Sequence, residues 1–145
     1  MQKIMLFYRI HPTLCIIWII LLILLVICIM RVLFSKYKFI TCTEATLLIN
    51  KQDAKIIDIR PKDEYYYAHI PNSLNILGTD IKNGLYGELD QYKNCPLIIV
   101  GSGINPMDET EIASKLSNSG FQKIYILESG IISWNNDYLP LVNGS

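Results

Sequence analysis

Residues 96–109 combine a strand, a loop bounded by glycines and the start of a helix, an arrangement that can bind an anion. In α/β proteins, chemistry usually lies in the loops at the carboxyl ends of the strands. The helix that follows directs its free N–H groups toward such a loop. We therefore expect a backbone cradle suited to an anion or a thiolate, formed by Gly101, Ser102, Gly103, Ile104, Asn105, Pro106 and Met107.

The loop itself carries no reactive side chain. Residues 101–107 contain no Cys, His, Lys or Arg, and the hydroxyl of Ser102 is a poor nucleophile without a general base. Asp108, Glu109 and Glu111 follow, and Asp108 and Glu111 have the spacing of a capping box. We expect these acids to cap the helix, complement its dipole and repel an anionic substrate. The alternative is an acidic surface that binds a partner.

Four more residues are candidates for the site or its support. Asp58 ends a strand and Arg60 begins the next loop, which predicts a hydrogen-bonded pair that fixes this turn. The alternative is that Arg60 offers a cation to the mouth of the 101–107 loop. His69 is expected to support the loop before the third strand rather than to act as a base, and Trp134 is expected to lie in the core.

The four cysteines do not form a metal-binding pattern. No pair has CxxC spacing and the chain has only two histidines, so we predict neither a metal site nor a cofactor. Cys95 precedes the strand that leads to the loop, and a strand rise of ~3.3 Å per residue puts it about 15 Å from the loop. We expect Cys42 and Cys95 to be free thiols, with a disulfide between them as the alternative.

The elements that position these residues alternate between strands and helices. Such alternation predicts an α/β fold with a mostly parallel, five-stranded sheet flanked by helices. The strands are predicted at 39–40, 55–59, 73–76, 97–100 and 124–127. The helices are predicted at 43–50, with Thr43 as the cap, at 63–67, at 108–118 with a stop at Ser119 and Gly120, and from 131 onward. Residues 78–93 are expected to hold at most a short helix near 88–92.

The N-terminal segment is long and apolar. Residues 14–30 carry no charge, and roughly twenty helical residues span the ~30 Å of a bilayer's hydrocarbon core. A polar stripe for a soluble helix is missing. A cleaved signal peptide needs small residues before the cut, and residues 30–34 offer none. We predict a tail at 1–12, a retained transmembrane helix at 13–34 that contacts the lipid bilayer, and a linker at 35–37.

The charge distribution limits the classes of possible partner and indicates how the span is oriented in the membrane. Residues 1–34 contain three basic residues and no acid, while the rest of the chain has ten basic and thirteen acidic residues. No basic surface for nucleic acid is therefore expected. Basic residues flank both ends of the apolar segment, with a slight excess after it, which favours a cytoplasmic C-terminal domain.

Several motifs, taken in order, resemble the signatures of rhodanese domains. The resemblance covers about residues 38–142 and is carried by Ile56-Ile57-Asp58-Ile59-Arg60, Glu64-Tyr65, Ala68-His69-Ile70-Pro71-Asn72-Ser73, Asn75-Ile76, Ser119-Gly120-Phe121, Ile124-Tyr125-Ile126-Leu127, Gly130-Ile131, Trp134 and Leu139-Pro140. In this family the loop after the fourth strand begins with a catalytic Cys that carries a persulfide. Counted from the strand, that position is Gly101; counted back from Ser119, it lies near Gly103.

The resemblance implies a single rhodanese-like domain of a bacterial subgroup with one N-terminal span, at the inner membrane and facing the cytoplasm. The loop has no Cys, and the hydroxyl of Ser102 cannot form a persulfide. We therefore expect a catalytically inactive domain that binds or regulates a protein partner. Two alternatives stay open. One is a sulfurtransferase that uses a non-standard thiol, and the other is an accessory in membrane-protein assembly that works through its span.

Overall fold

The computed structural model describes residues 12–33 and 36–144 in two separate units, an N-terminal helix and a compact domain. The predicted tail lies outside the described residues except for Pro12. So do Phe34 and Ser35, at the end of the predicted span and the start of the predicted linker.

The N-terminal unit is the helix α1, Pro12–Leu33. Its 22 residues rise about 33 Å at ~1.5 Å per residue. The part from Pro12 to Met30 is long and apolar enough to cross a membrane. A helix of this kind near the N-terminus fits both a membrane anchor and a signal sequence.

The domain is built on five parallel strands, as the sequence predicts. Their order across the sheet is β1-β5-β4-β2-β3, and each pair of neighbours is parallel. The strands are β1 (Tyr37–Ile40), β2 (Lys55–Asp58), β3 (Leu74–Asn75), β4 (Leu97–Val100) and β5 (Ile124–Leu127). The predicted α/β fold is therefore confirmed.

Helices cover both faces of the sheet. They are α2 (Cys42–Gln52), α3 (Lys62–Tyr67), α4 (Gly78–Lys82), α5 (Pro106–Asn118) and α6 (Gly130–Asn136), with a 3₁₀ turn at Gly87–Tyr92. The central strand β4 is buried throughout, and its residues alternate between two cores. Leu97 and Ile99 pack with α4 and α5, while Ile98 and Val100 pack with α2 and α6.

Two local predictions in the first half of the domain are wrong. Thr41, not Thr43, caps α2: its hydroxyl accepts from the Glu44 N–H, and the Glu44 carboxylate accepts from the Thr41 N–H. This capping box is stronger than the single cap expected of Thr43. In the segment 78–93, the helix α4 was not predicted. It is short and polar, and Ile81 alone among its residues is buried, so it has no helical periodicity to detect.

The start of α5 also differs from the prediction, although its end does not. Asn105, rather than Asp108, is the cap, and its Oδ1 accepts from the N–H of Met107 at 3.3 Å. Pro106 then occupies the first helical position, where a missing N–H costs nothing. The helix ends at Asn118, and Gly120 adopts a φ of +99°, as expected of a left-handed stop.

Candidate functional site

The loop of residues 101–105 lies at the carboxyl edge of the sheet, between β4 and α5. Gly101 is the first residue after β4. The loop ends at Asn105, whose side-chain amide also donates to Asp108 at 3.0 Å. The fold therefore places the backbone of this loop at the N-terminus of α5, where Pro106 has no N–H and the N–H of Met107 donates to the Oδ1 of Asn105.

The loop packs tightly against Ser129, just before α6, and against the first residues of α6. The N–H of Ile131 donates to the carbonyl of Gly101 at 3.0 Å. Gly103 has a φ of +79°, and a Cβ at this residue would overlap the carbonyl oxygen of Ser129. A Cβ at Gly130 would lie 2.7 Å from the nitrogen of Gly103. Glycine is thus required at 103 and 130 because two backbone segments approach too closely for side chains.

Gly101 is a glycine for a different reason. Its φ is not positive, so its backbone conformation is open to any residue. A Cβ at Gly101 would overlap the carboxylate of Glu109, with the Cδ and Cγ of Glu109 at 2.8 and 2.9 Å. The side chain of Glu109 therefore fills the space into which a side chain at 101 would point.

Glu109 is itself buried, with 4% of its surface exposed. Its carboxylate accepts a hydrogen bond from the N–H of Gly103. Burial raises the pKa of Glu109, the charge of Asp108 adds to the increase, and the Gly103 N–H partly opposes it. One N–H of the loop, that of Gly103, is thus engaged by an acceptor that belongs to the protein itself.

The other two acids of this turn point outward and share one cation. The Nζ of Lys82 lies 3.0 Å from Asp108 and 2.8 Å from Glu111. These two hydrogen bonds, that of Glu111 first, raise the pKa of Lys82. The expectation that these acids cap the helix is wrong, because Asn105 is the cap. Asp108 and Glu111 pair with Lys82, and Glu109 turns into the loop.

Two clefts border the loop, and Glu109 forms part of the wall of both. The first cleft, of about 350 Å³, lies between the loop and α4; its lining includes Arg60, Leu77, Gly78, Lys82 and Gly101. The second cleft, of about 280 Å³, is lined by Phe39, Gly103, Pro106, Glu109, Glu128 and Ser129. Of these residues, Gly103 and Pro106 belong to the loop predicted from the sequence, whereas Phe39, Glu128 and Ser129 were not named as candidates.

Asp58 and Arg60 form the pair predicted from the sequence. The Arg60 guanidinium donates to the Asp58 carboxylate through Nε at 2.9 Å and through Nη2 at 2.6 Å, and both side chains are buried. Nη2 also donates to the carbonyl of Ala68 at 2.8 Å. Arg60 therefore borders the first cleft, but its cation is already matched by a carboxylate and a carbonyl.

His69 and Trp134 hold the domain together away from the loop. The imidazole of His69 stacks on the ring of Tyr65, and its Nδ1 lies 2.8 Å from the carbonyl of Tyr65. Because a carbonyl oxygen only accepts, Nδ1 carries the proton. Trp134 is buried, and its Nε1 donates to the carbonyl of Pro140 at 3.1 Å. Neither residue lines either cleft.

Neither thiol of the domain reaches the loop. Both are free, and neither lines a cleft beside Gly101. Cys95 precedes β4, at the opposite edge of the sheet from the loop. Cys42 is buried at the start of α2, where its Sγ donates to the hydroxyl of Ser133 at 3.4 Å. Burial raises the pKa of Cys42, with the bond to Ser133 opposing, which disfavours the reactive thiolate.

The role of Glu109 was missed from the sequence, although a signal for it exists. The buried residues of α5 are Glu109, Ile112, Ala113, Leu116 and Ser117. This is the spacing of one helical face, and Glu109 lies on it. An acid in the first turn is commonly interpreted as a solvent-exposed partner of the helix dipole, which concealed its place on the buried face. Among the described residues, no group of three or more His, Cys, Asp or Glu side chains is arranged to hold a metal ion.

Comparison with known proteins gives a consistent family assignment. The model of the rhodanese-like domain matches residues 41–137. The protein YibN of Escherichia coli strain K12 is 43% identical over 145 residues, which cover 99% of each chain. The thiosulfate sulfurtransferase GlpE of Pseudoalteromonas translucida is 31% identical over 103 residues, which cover 70% of this chain and 92% of GlpE.

Solved structures show the same fold. A rhodanese-related protein from Thermoplasma volcanium superposes with a TM-score of 0.62 at 22% identity, covering 73% of this chain and 98% of that protein. A likeness at this level of identity concerns the fold and leaves the chemistry of the loop open.

Proposed function

The chain belongs to the family of rhodanese-like domain proteins, and on this premise we propose that it is a membrane-anchored binding module whose loop has lost sulfurtransferase chemistry. The observation that carries the proposal is the pairing of Gly101 with Glu109. By the resemblance to rhodanese domains, the position that receives sulfur falls at Gly101 or near Gly103. This chain has glycine at both positions, and the Glu109 carboxylate occupies the space beside Gly101.

The backbone favours Gly101 over Gly103 as the equivalent of the family's catalytic position. A side chain at 103 would meet the carbonyl of Ser129 and require a positive φ, whereas Gly101 has ordinary φ and only a flexible side chain in its way. The first residue after β4 is thus the place where a nucleophile could project into the first cleft. In this chain no thiol is present there.

The charge at the loop also disfavours the usual substrates. A sulfur donor such as thiosulfate is an anion, and a catalytic thiolate needs donors that stabilise negative charge. Here the Gly103 N–H is already engaged by Glu109. A second anion would meet that carboxylate, together with Asp108 and Glu111, of which Lys82 neutralises only part.

The proposed location rests on α1 and the charge of its flanks. We propose that Pro12–Leu33 is retained as a single span in a bacterial inner membrane, with the domain in the cytoplasm. The length of the apolar segment and the weak excess of basic residues after it support this topology. Such an anchor would hold the domain's loop surface near membrane-associated protein partners.

A second candidate function is sulfur transfer through a different thiol. The similarity to GlpE, which is named a thiosulfate sulfurtransferase, favours it. Cys42 and Cys95 are the thiols available in the domain, and their distance from the clefts and the raised pKa of Cys42 count against it.

An assay of thiosulfate:cyanide sulfur transfer, with the full-length protein in detergent micelles, distinguishes the binding module from the sulfurtransferase. We expect no turnover above the rate without protein. A GlpE-type sulfurtransferase serves as the positive control under the same conditions. Turnover that disappears in Cys42→Ser or in Cys95→Ser would establish the second candidate and overturn the first.

A further inference from the structure

The second cleft has a composition that the first does not share. It lies between Phe39 on the edge strand β1 and Pro106 at the start of α5, with Gly103 and Ser129 also in its lining. Two acidic residues, Glu109 and Glu128, are among its lining residues; Glu109 is buried, whereas Glu128 is exposed. Its walls therefore combine two apolar rings with two acids.

The negative charge of this cleft has no cation to match it. No Lys or Arg is among its lining residues, and Glu128 makes no ion pair with any described residue. Lys38, the neighbour of Phe39 in β1, lies 3.5 Å from Glu44 instead. In the first cleft, by contrast, Arg60 and Lys82 pair with acids. An exposed carboxylate beside apolar rings favours a cation.

Exposed apolar side chains flank this cleft on the loop. Ile104 is 81% exposed and Met107 is 77% exposed, on either side of Asn105 and Pro106. Phe39 is 39% exposed across the cleft. The backbone beneath these residues is fixed by the close packing of Gly103 against Ser129. A rigid loop that presents two long apolar side chains beside an acidic cleft has the composition of a protein-binding surface.

We propose that the second cleft binds an arginine- or lysine-bearing segment of a partner protein. This inference rests on the proposed function and specifies the chemistry of the partner. The cation would lie between Glu128 and the face of the Phe39 ring, and its aliphatic stem would pack on Pro106. Apolar neighbours of that residue in the partner would contact Ile104 and Met107. The same charges disfavour an anionic lipid surface and an acidic or phosphorylated peptide.

Site-specific photocrosslinking in the intact cell membrane tests the proposal. The full-length chain carries p-benzoylphenylalanine in place of Ile104 and is irradiated in the cells that naturally produce it. A second sample carries the same group in place of Leu85, which is 63% exposed but lies outside the cleft. Mass spectrometry then identifies the peptides crosslinked at each position.

We expect position 104 to crosslink a protein segment that contains Lys or Arg close to the attachment point, and position 85 not to do so. Glu128→Lys should lower the yield at least about tenfold, because like charges at an interface are strongly unfavourable. Glu88→Lys makes the same charge change on an exposed acid outside the cleft, and it should leave the yield unchanged.

The remaining outcomes identify which statement is wrong. Two outcomes would contradict the basic partner segment but not the binding module. One is crosslinks at 104 to protein segments without basic residues, and the other is a crosslink yield that Glu128→Lys does not lower. Crosslinks to a second copy of this chain, or to lipid, would contradict the basic partner segment and identify that copy or the lipid as the occupant of the cleft. Equal, nonspecific crosslinking at 104 and 85 overturns both this inference and the binding module. Sulfur-transfer turnover together with the expected crosslinks would overturn the loss of sulfurtransferase chemistry and leave the binding of a basic segment in place.

Discussion

At the scale of residues, positions 101 and 109 are complementary. Gly101 lacks a side chain where its backbone would allow one, and the Glu109 carboxylate occupies the vacated space and accepts from the Gly103 N–H. A buried carboxylate is costly unless it is hydrogen-bonded. The loop thus provides for Glu109 what it would provide for a thiolate in a catalytic relative.

Gly101→Cys alone should not create a reactive thiol. The new side chain would lie against the Glu109 carboxylate, which raises the pKa of a neighbouring thiol. In Gly101→Cys/Glu109→Ala, that charge is gone and the Gly103 N–H is free to stabilise a thiolate. We expect alkylation of residue 101 by iodoacetamide at neutral pH to be roughly tenfold faster in the double variant, since a like charge in contact shifts a pKa by about a unit or more.

The matched control is Gly101→Cys/Asp108→Ala. Asp108 lies in the same turn but points outward and is paired with Lys82, so its removal should change the alkylation rate little. Equal rates in the three variants, followed peptide by peptide in a mass spectrometer, would show that Glu109 does not occupy the position assigned to it.

The raised pKa of Glu109 predicts a pH-dependent stability. The folded state holds the proton of this carboxyl more tightly than the unfolded state, so its contribution to stability is fully present below the ordinary carboxyl pKa and is lost as pH rises through the folded value. Glu109→Gln keeps an acceptor for the Gly103 N–H and does not titrate.

Urea unfolding of both proteins in detergent, followed from neutral pH down to the ordinary carboxyl range, measures this difference. The stability of the wild type should rise relative to that of Glu109→Gln as pH falls. Parallel stability curves would mean that Glu109 titrates as an exposed acid does.

At the scale of elements, the site depends on the contact between the 101–105 loop and the turn before α6. This contact is made by backbone on both sides, through the Gly101 carbonyl, the Ile131 N–H and the glycines at 103 and 130. Because backbone atoms make this contact, its sign in the sequence is the glycines themselves, at 103 and 130.

Gly103→Ala should therefore destabilise the domain more than Gly120→Ala. Both glycines have positive φ, at +79° and +99°, which costs an alanine about 1–2 kcal/mol. A Cβ at 120 meets nothing within 4 Å, whereas one at 103 meets the Ser129 carbonyl, and that overlap should cost about 1–3 kcal/mol more. Urea midpoints of the two variants give the comparison; equal losses would contradict the close approach of the two segments.

The elements also show how far the sequence could predict the site. The strand β4 and the end of α5 were predictable because a four-residue apolar run and a Ser-Gly stop are strong local signals. The start of α5 was not, because Asn105-Pro106 and Asp108–Glu111 are both acceptable helix starts. The helical spacing of Glu109 with Ile112 and Leu116 could predict that Glu109 is buried, but not that its carboxylate lies against Gly101, because that is a tertiary contact.

At the scale of the whole molecule, the chain joins a membrane-length apolar helix to a rhodanese-like domain of net negative charge. Between Leu14 and Leu33 the helix contains no Gly, Ala, Ser or Thr. Small residues of this kind allow close packing between transmembrane helices. The span is therefore expected to serve as a tether rather than as a helix-packing surface.

If α1 is a tether, it should stay on the mature protein, and an unrelated apolar span should be able to replace it. The intact mass of the protein purified from membranes should include residues 12–33, and alkaline carbonate should not extract it. Replacement of residues 13–34 by an unrelated apolar span should preserve membrane retention and the crosslinks at position 104. A mature protein that begins after residue 34 would identify a signal sequence, and loss of the crosslinks after exchange would assign the span a role in binding.

The central claim is that this domain carries no sulfur, either at its Gly101 loop or on its two thiols, Cys42 and Cys95. The most direct measurement is the intact mass of the full-length protein after incubation with thiosulfate and removal of the excess, with a GlpE-type sulfurtransferase treated in parallel. The account predicts that the mass of this protein is unchanged while that of the control rises by one sulfur atom. The same increase on Cys42 or Cys95, abolished by the corresponding serine variant, would contradict it.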